Sequence, residues 1–134
     1  MHPSVLVVDD DPVFRDLARR LLAAEGLEVV AEAESLAGAL DAAHALRPDA
    51  VLVDIDLPDG DGLTLARRLS ALPWRPRIVL TSTDPDAASP EDLKRSGADA
   101  FVAKHALPNE PLVRLLGRAE APWRDTVGRV RSDV

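Results

Sequence analysis

Val5-Leu6-Val7-Val8-Asp9-Asp10-Asp11-Pro12 ends a short, β-branched apolar run in three carboxylates and a proline. Ala50-Val51-Leu52-Val53-Asp54 repeats the device, an apolar run stopped by an acid. Such runs read as strands buried on both faces of a parallel sheet, with charge at their C-terminal ends. Asp10 or Asp11 then caps a helix whose first position is Pro12. Two such strand ends side by side gather three or four carboxylates in one crevice, an arrangement that needs a cation.

From there the strand and helix patterns alternate five times. The first strand covers about residues 5–9. The first helix runs to Gly26 with an expected apolar face of Val13, Leu17, Leu21 and Leu22. A second strand over residues 28–33 carries Glu28 and Glu32, which suggests a sheet edge. The second helix opens at Ser35 and runs through Leu36, Leu40 and Leu46 to Pro48; the third strand, residues 50–54, follows. The stretch from Leu57 to Gly62 is expected to be a loop, with a third helix over about residues 63–72. Residues 77–80 form the fourth strand, ending in Thr81-Ser82-Thr83, and Ser89-Pro90-Glu91-Asp92 is a helix N-terminus. That helix stops at Ser96-Gly97, the fifth strand is residues 100–103, and Lys104 follows it. A last helix starts near Pro108 or Pro111 and carries Leu112, Leu115 and Leu116. Strict alternation predicts a doubly wound α/β fold with a parallel sheet and helices on both faces. The expected domain is residues 4–119. Residues 120–134, which include Trp123, form a tail in which the periodicity fades.

Composition narrows the function. At 134 residues the chain fits one domain able to bury a core. A net charge of -7 and a pI near 4.9 oppose binding to phosphate backbones. Aromatic residues make up only 3%, too few to build a stacking surface for bases. The absence of cysteine excludes disulfides, thiolate catalysis and zinc–thiolate sites. No apolar stretch approaches the roughly 18 residues of a membrane span, and no export signal is visible, so a cytoplasmic protein is expected.

Ligands of open α/β sheets bind beyond the strands' carboxyl ends. Here those ends supply Asp9, Asp10, Asp54, Thr81 or Ser82, and Lys104. Two unit charges about 4 Å apart repel by about 4 kcal/mol at an effective dielectric near 20. Hard oxygen donors without His or Cys favour Mg²⁺, which keeps waters and shares its shell with phosphate. Lysine is a compact charge suited to a phosphoryl oxygen. Metal, lysine and hydroxyl around Asp54 would stabilise charge on a phosphoryl group passing onto that carboxylate, giving an acyl phosphate.

Four segments, VLVVDDDP (5–12), VLVDIDLPDGDG (51–62), RIVLTS (77–82) and GADAFVAK (97–104), together resemble the receiver domain of two-component response regulators. The resemblance implies a five-stranded sheet of order 2-1-3-4-5 with five helices. It implies Asp54 as phospho-acceptor, fed by a phosphohistidine on a sensor histidine kinase or a histidine phosphotransfer protein. Mg²⁺ would be held by Asp9, Asp10, Asp54 and the backbone carbonyl of Asp56. Thr81, with Ser82 as the alternative, and Lys104 would contact the phosphoryl group, and Phe101 would be the switch aromatic. The face made by helix four, strand five and helix five would then change shape for a downstream protein, or for a second copy in a phosphorylation-dependent homodimer.

Thr81 fits by its place after the strand, Ser82 by its distance from Lys104; Thr81 is favoured, with one residue inserted between Ser82 and Ser89. His105 stands where many relatives have proline, leaving the preceding peptide open to cis or trans. With no DNA-binding pattern after helix five, the expectation is a stand-alone receiver without nucleic-acid contact or membrane insertion. It would be a signalling protein with slow loss of its phosphoryl group, not an enzyme. Two rivals remain. Asp54-Ile55-Asp56 resembles the nucleophile pair of haloacid-dehalogenase-type, Mg²⁺-dependent phosphatases, although it follows the third strand rather than the first. The other is a receiver-like binding module that works without phosphorylation.

Overall fold

A computed structural model describes residues 2–117; the expected tail, residues 120–134, lies outside the described residues. The chain order is β1 (Ser4–Val8), α1 (Pro12–Ala24), β2 (Glu28–Ala33), α2 (Leu36–Leu46), β3 (Ala50–Asp54), β4 (Asp56–Leu57), β5 (Gly60–Asp61), α3 (Gly62–Ser70), β6 (Arg77–Ser82), α4 (Pro90–Ser96), β7 (Ala100–Ala103), a 3-10 helix (Lys104–Asn109) and α5 (Leu112–Leu116).

Five strands form one parallel sheet in the order β2-β1-β3-β6-β7, while β4 and β5 make a small antiparallel hairpin. Setting the hairpin aside, this is the expected 2-1-3-4-5 order. The central strands β3 and β6 are buried along their whole length and β1 nearly so; the edge strands β2 and β7 are only partly covered. Successive side chains alternate between two cores. One holds Val5, Val7, Leu52, Val79 and Val102 with residues of α1 and α5. The other holds Leu6, Val8, Val51, Val53, Ile78 and Leu80 with residues of α2 and α3.

The helix starts follow the caps. Asp11 accepts a hydrogen bond from Val13 N at 2.9 Å, with Pro12 behind it. Ser89 and Asp92 form a reciprocal capping box. The 57–62 segment, expected as a loop, contains the hairpin, and Asp61 caps α3 by accepting from Thr64 N at 2.9 Å. A 3-10 helix not foreseen from the sequence begins at Lys104, so the described residues hold five α-helices and this sixth.

The buried face of α1 agrees with the expected one at Leu22, and at Leu21, which packs partly buried against the core, but not at Val13 and Leu17. Phe14, Ala18 and Leu22 face the sheet, whereas Val13 is 76% and Leu17 43% exposed. The two stripes lie one residue, or about 100°, apart on the helix. The Phe14 ring offers more area than Val13, and the small Ala18 lets the helix approach closely. In α2 likewise, Ala39 and Ala43 are buried while Leu46 is 50% exposed.

Gly97 closes α4 at φ +78°, and a Cβ there would come within 2.8 Å of the Ser70 side-chain carbon. Gly97→Ala should therefore cost more than the about 1 kcal/mol of left-handed strain alone. Urea denaturation checks this; an unchanged midpoint would contradict it.

Candidate functional site

The parallel sheet brings four strand ends to one edge. Asp9, Asp54 and Thr81 each stand two residues beyond a member of the α1/α5-side core, namely Val7, Leu52 and Val79. Lys104 stands two beyond Val102 in the same way. Period-two alternation therefore directs all four to one face. The register pairs Asp54 with Thr81 across β3 and β6.

Asp9 is fully buried and Asp54 is 5% exposed. Ligand oxygens of Asp9, Asp10 and Asp54 lie within 4.8 Å of one another. Asp9 is held from several sides. Its Oδ1 accepts from Asp11 N at 2.9 Å, and its backbone carbonyl accepts from Arg15 Nη1 at 2.6 Å. Its Oδ2 meets the Lys104 ammonium at 2.7 Å without hydrogen-bond alignment, so the contact is an ion pair. Asp54 Oδ1 accepts from Asp56 N at 3.3 Å, and Lys104 Nζ lies 3.6 Å from its Oδ2. Asp10, Asp11 and Asp56 are exposed.

Burial, and then the charge of Asp9, pushes the Asp54 carboxyl up from 3.8 to about 6, against the opposing pull of Lys104 and the Asp56 N–H. Burial alone would lower the Lys104 pKa. The close contact with Asp9 and the charges of Asp9 and Asp54 outweigh it, and the pKa rises above its ordinary value. One lysine thus faces two buried acids. A donor set made only of carboxylate oxygens, with Asp9 Oδ2 lacking an aligned donor, suits a hard divalent cation.

The two candidate hydroxyls are separated by the pleat. Thr81 Oγ1 is buried with no hydrogen-bond partner. Ser82 pairs with Ala103 on the opposite face, and its Oγ accepts from Asp84 N at 3.1 Å in a turn. Phe101 is half-buried on that opposite face, paired with Leu80 and packed on the α2/α3-side core. There is no cis peptide among the described residues, so Lys104–His105 is trans.

Three site neighbours escaped the sequence reading. Arg15 holds the Asp9 carbonyl and is itself oriented by Glu32 at 2.9 Å. Gly62 packs so tightly on β3 that a Cβ would fall 2.5 Å from the Asp54 carbonyl oxygen and 2.8 Å from Ile55 Cα. Phe14 lies beneath the Lys104 ammonium, 4.3 Å from ring centroid to Nζ. The DGDG run (59–62) carried a usable signal for Gly62; Arg15 and Phe14 carried none apart from their place after the acidic run.

A doubly wound parallel sheet with an acidic notch at its carboxyl edge defines the class, and comparison with known proteins names it. The response regulator receiver domain model matches residues 5–115, and the chain belongs to that family. It is 35% identical to the virulence factors putative positive transcription regulator BvgA of Bordetella pertussis, over 78% of this chain and 50% of that protein. It is 33% identical to the chemotaxis protein CheY of Bacillus subtilis, over 78% of this chain and 87% of CheY. The signal receiver domain of the putative response regulator NarL from Mycobacterium tuberculosis superposes with a TM-score of 0.75 at 31% identity, covering 81% of this chain and 89% of that one. The chain spans about half the length of the first curated relatives it matches. Among the described residues no helix is long and apolar enough to cross a membrane.

The Asp54 shift sets a pH dependence. The unfolded chain ionises this group near 3.8 and the folded one near 6, so the folded state holds the extra proton between those values. The stability this proton brings is complete below 3.8, fades as pH rises and is gone above 6. There the buried charge costs about 3 kcal/mol. Asp54→Asn should stabilise the metal-free protein by up to about 3 kcal/mol at neutral pH and by much less at acidic pH. Urea titrations at pH 7.5 and about pH 4.5 test this; equal gains at both would contradict it.

Proposed function

We propose that the chain is a phosphorylation-dependent signalling switch with Asp54 as its phospho-acceptor. One observation carries the reading: a buried carboxylate ends β3 beside two further acids, with the Lys104 ammonium 3.6 Å from its Oδ2. An Asp54 oxygen attacks the phosphorus of a phosphohistidine on a sensor histidine kinase or a histidine phosphotransfer protein. The phosphorus–nitrogen bond breaks, and its electron pair returns to the imidazole. With a pKa of about 6, Asp54 is mostly ionised at neutral pH and ready to attack.

Asp9, Asp10, Asp54 and the Asp56 backbone carbonyl would hold Mg²⁺, which supplies charge neutralisation for the incoming phosphoryl oxygens. Lys104 meets one of those oxygens as a point charge. Thr81 donates its otherwise unpartnered hydroxyl to another, and this favours Thr81 over Ser82. As Thr81 is drawn toward the new charge, β6 shifts with it. Phe101, paired with Leu80 one residue back, then repacks. The face formed by α4, β7 and α5 changes for a downstream protein partner. The chain acts as a signalling protein rather than a turnover enzyme.

Incubation with acetyl phosphate and Mg²⁺ should add one phosphoryl group by intact mass. Asp54→Asn should abolish the addition and Lys104→Met should slow it by roughly tenfold or more. Undiminished labelling of Asp54→Asn removes Asp54 from its role, and sustained turnover of a phosphate ester by the wild type would make the protein a phosphatase instead.

A further inference from the structure

We propose that Phe14 is a positioning residue for Lys104, its ring face holding the ammonium over Asp9 and Asp54 where phosphoryl oxygens would arrive. The inference rests on the phospho-acceptor reading above and extends it to a residue outside the acidic notch. Lys104 has a flexible four-carbon stem and begins a 3-10 helix directly after the edge strand β7. Its ion pair with Asp9 Oδ2 at 2.7 Å sets a distance, and an ammonium on a flexible stem can hold that distance from many directions of approach. The ring supplies the direction. Lys104 Nζ lies 4.3 Å from the Phe14 centroid, 2.7 Å from Asp9 Oδ2 and 3.6 Å from Asp54 Oδ2. A cation within about 6 Å of a ring face is attracted by the ring quadrupole, and more strongly where water is scarce. The Lys104 side chain is 15% exposed and Phe14 is 7% exposed, so the contact is largely shielded.

Chain order makes the arrangement compact. Asp11 caps α1 and Pro12 opens it, which puts Phe14 in the first turn. The short segment from Asp9 to Phe14 therefore delivers Asp9, Asp10 and the ring together. A ring also attracts the ammonium without neutralising it, which leaves the charge free for an anion. The competing account is plain packing, since Phe14 also belongs to the α1/α5-side core together with Leu22 and Leu116. The two accounts differ for Phe14→Leu, which keeps an apolar side chain of similar bulk and removes the quadrupole.

The test uses the whole chain as wild type, Phe14→Leu and Phe14→Tyr. In the wild type, proton NMR should show the Lys104 ε-methylene shifted upfield by the ring current; an ordinary lysine shift overturns the placement. At saturating Mg²⁺ and acetyl phosphate, Phe14→Leu should label Asp54 about threefold to thirtyfold more slowly, while Phe14→Tyr, which keeps the ring face, retains the wild-type rate. The Mg²⁺ dissociation constant of Phe14→Leu should equal the wild-type value or be tighter, because Lys104 no longer crowds Asp9 Oδ2. A wild-type labelling rate in Phe14→Leu overturns the proposal. So does a slow rate accompanied by weakened Mg²⁺ binding, which marks general damage to the site. If the wild type takes no phosphoryl group, the phospho-acceptor reading fails, and the Lys104 methylene shift alone then decides the placement.

Discussion

Asp9 and Asp54, both nearly stripped of water, share the charge of one ammonium, and the rest of the molecule is arranged around that imbalance. Removing a carboxylate from water costs several kcal/mol unless it is paired, and one lysine cannot fully pair two. Burial first, and then the neighbouring charge of Asp9, raise the Asp54 pKa. The surplus negative charge accounts for the dense support around Asp9, whose Oδ1 is fixed by Asp11 N and whose carbonyl is fixed by Arg15. A site of this kind is costly as built and becomes favourable when further positive charge, or a phosphoryl group carrying its own cation, enters it.

Parallel topology is what lets distant residues meet. Four strand ends share one edge of the sheet, and the pleat sends Asp9, Asp54, Thr81 and Lys104 to the same face as Val7, Leu52, Val79 and Val102. A slip of one residue in any strand would turn its contribution away. Ser82 illustrates the consequence: one position past Thr81, it pairs with Ala103 on the opposite face, where its Oγ accepts from Asp84 N in a turn. Gly62 adds a constraint from the other side, because its missing side chain lets α3 start directly against the Asp54 backbone.

Strand order, the caps at Asp11 and Ser89, and the gathering of Asp9, Asp10 and Asp54 were legible in the sequence, because each rests on a local pattern that burial reinforces. The buried face of α1 was legible only at Leu21 and Leu22. Val13 and Leu17 are more aliphatic than Phe14 and Ala18, and periodicity cannot choose between stripes about 100° apart. The choice belongs to packing, where ring area and a small Ala18 prevail. The β4–β5 hairpin and the 3-10 helix at Lys104 were missed because strands of two residues, or a 3-10 helix of six, are too short to leave a periodic trace. The choice between Thr81 and Ser82 was open on spacing alone; the register shows that Thr81 pairs with Asp54 and that Ser82 lies on the opposite face, paired with Ala103.

Acids and cation also differ in how firmly they are mounted. Asp9 directly follows β1 and Asp54 ends β3, strands with a partner on each side and close to full burial. Lys104 and Phe101 belong to β7 and its exit, at a sheet edge with one partner and alternating burial. Segments with fewer partners open and shift at lower cost. A charge placed at Asp54 would therefore act on a rigid floor and a movable wall. The energy of a new contact to Lys104 would be taken up by β7 before it disturbed β1 and β3. This division sets Lys104 and Phe101, on one flank of the sheet, apart from Asp9 and Asp54 at its middle, with Thr81 on β6 between them.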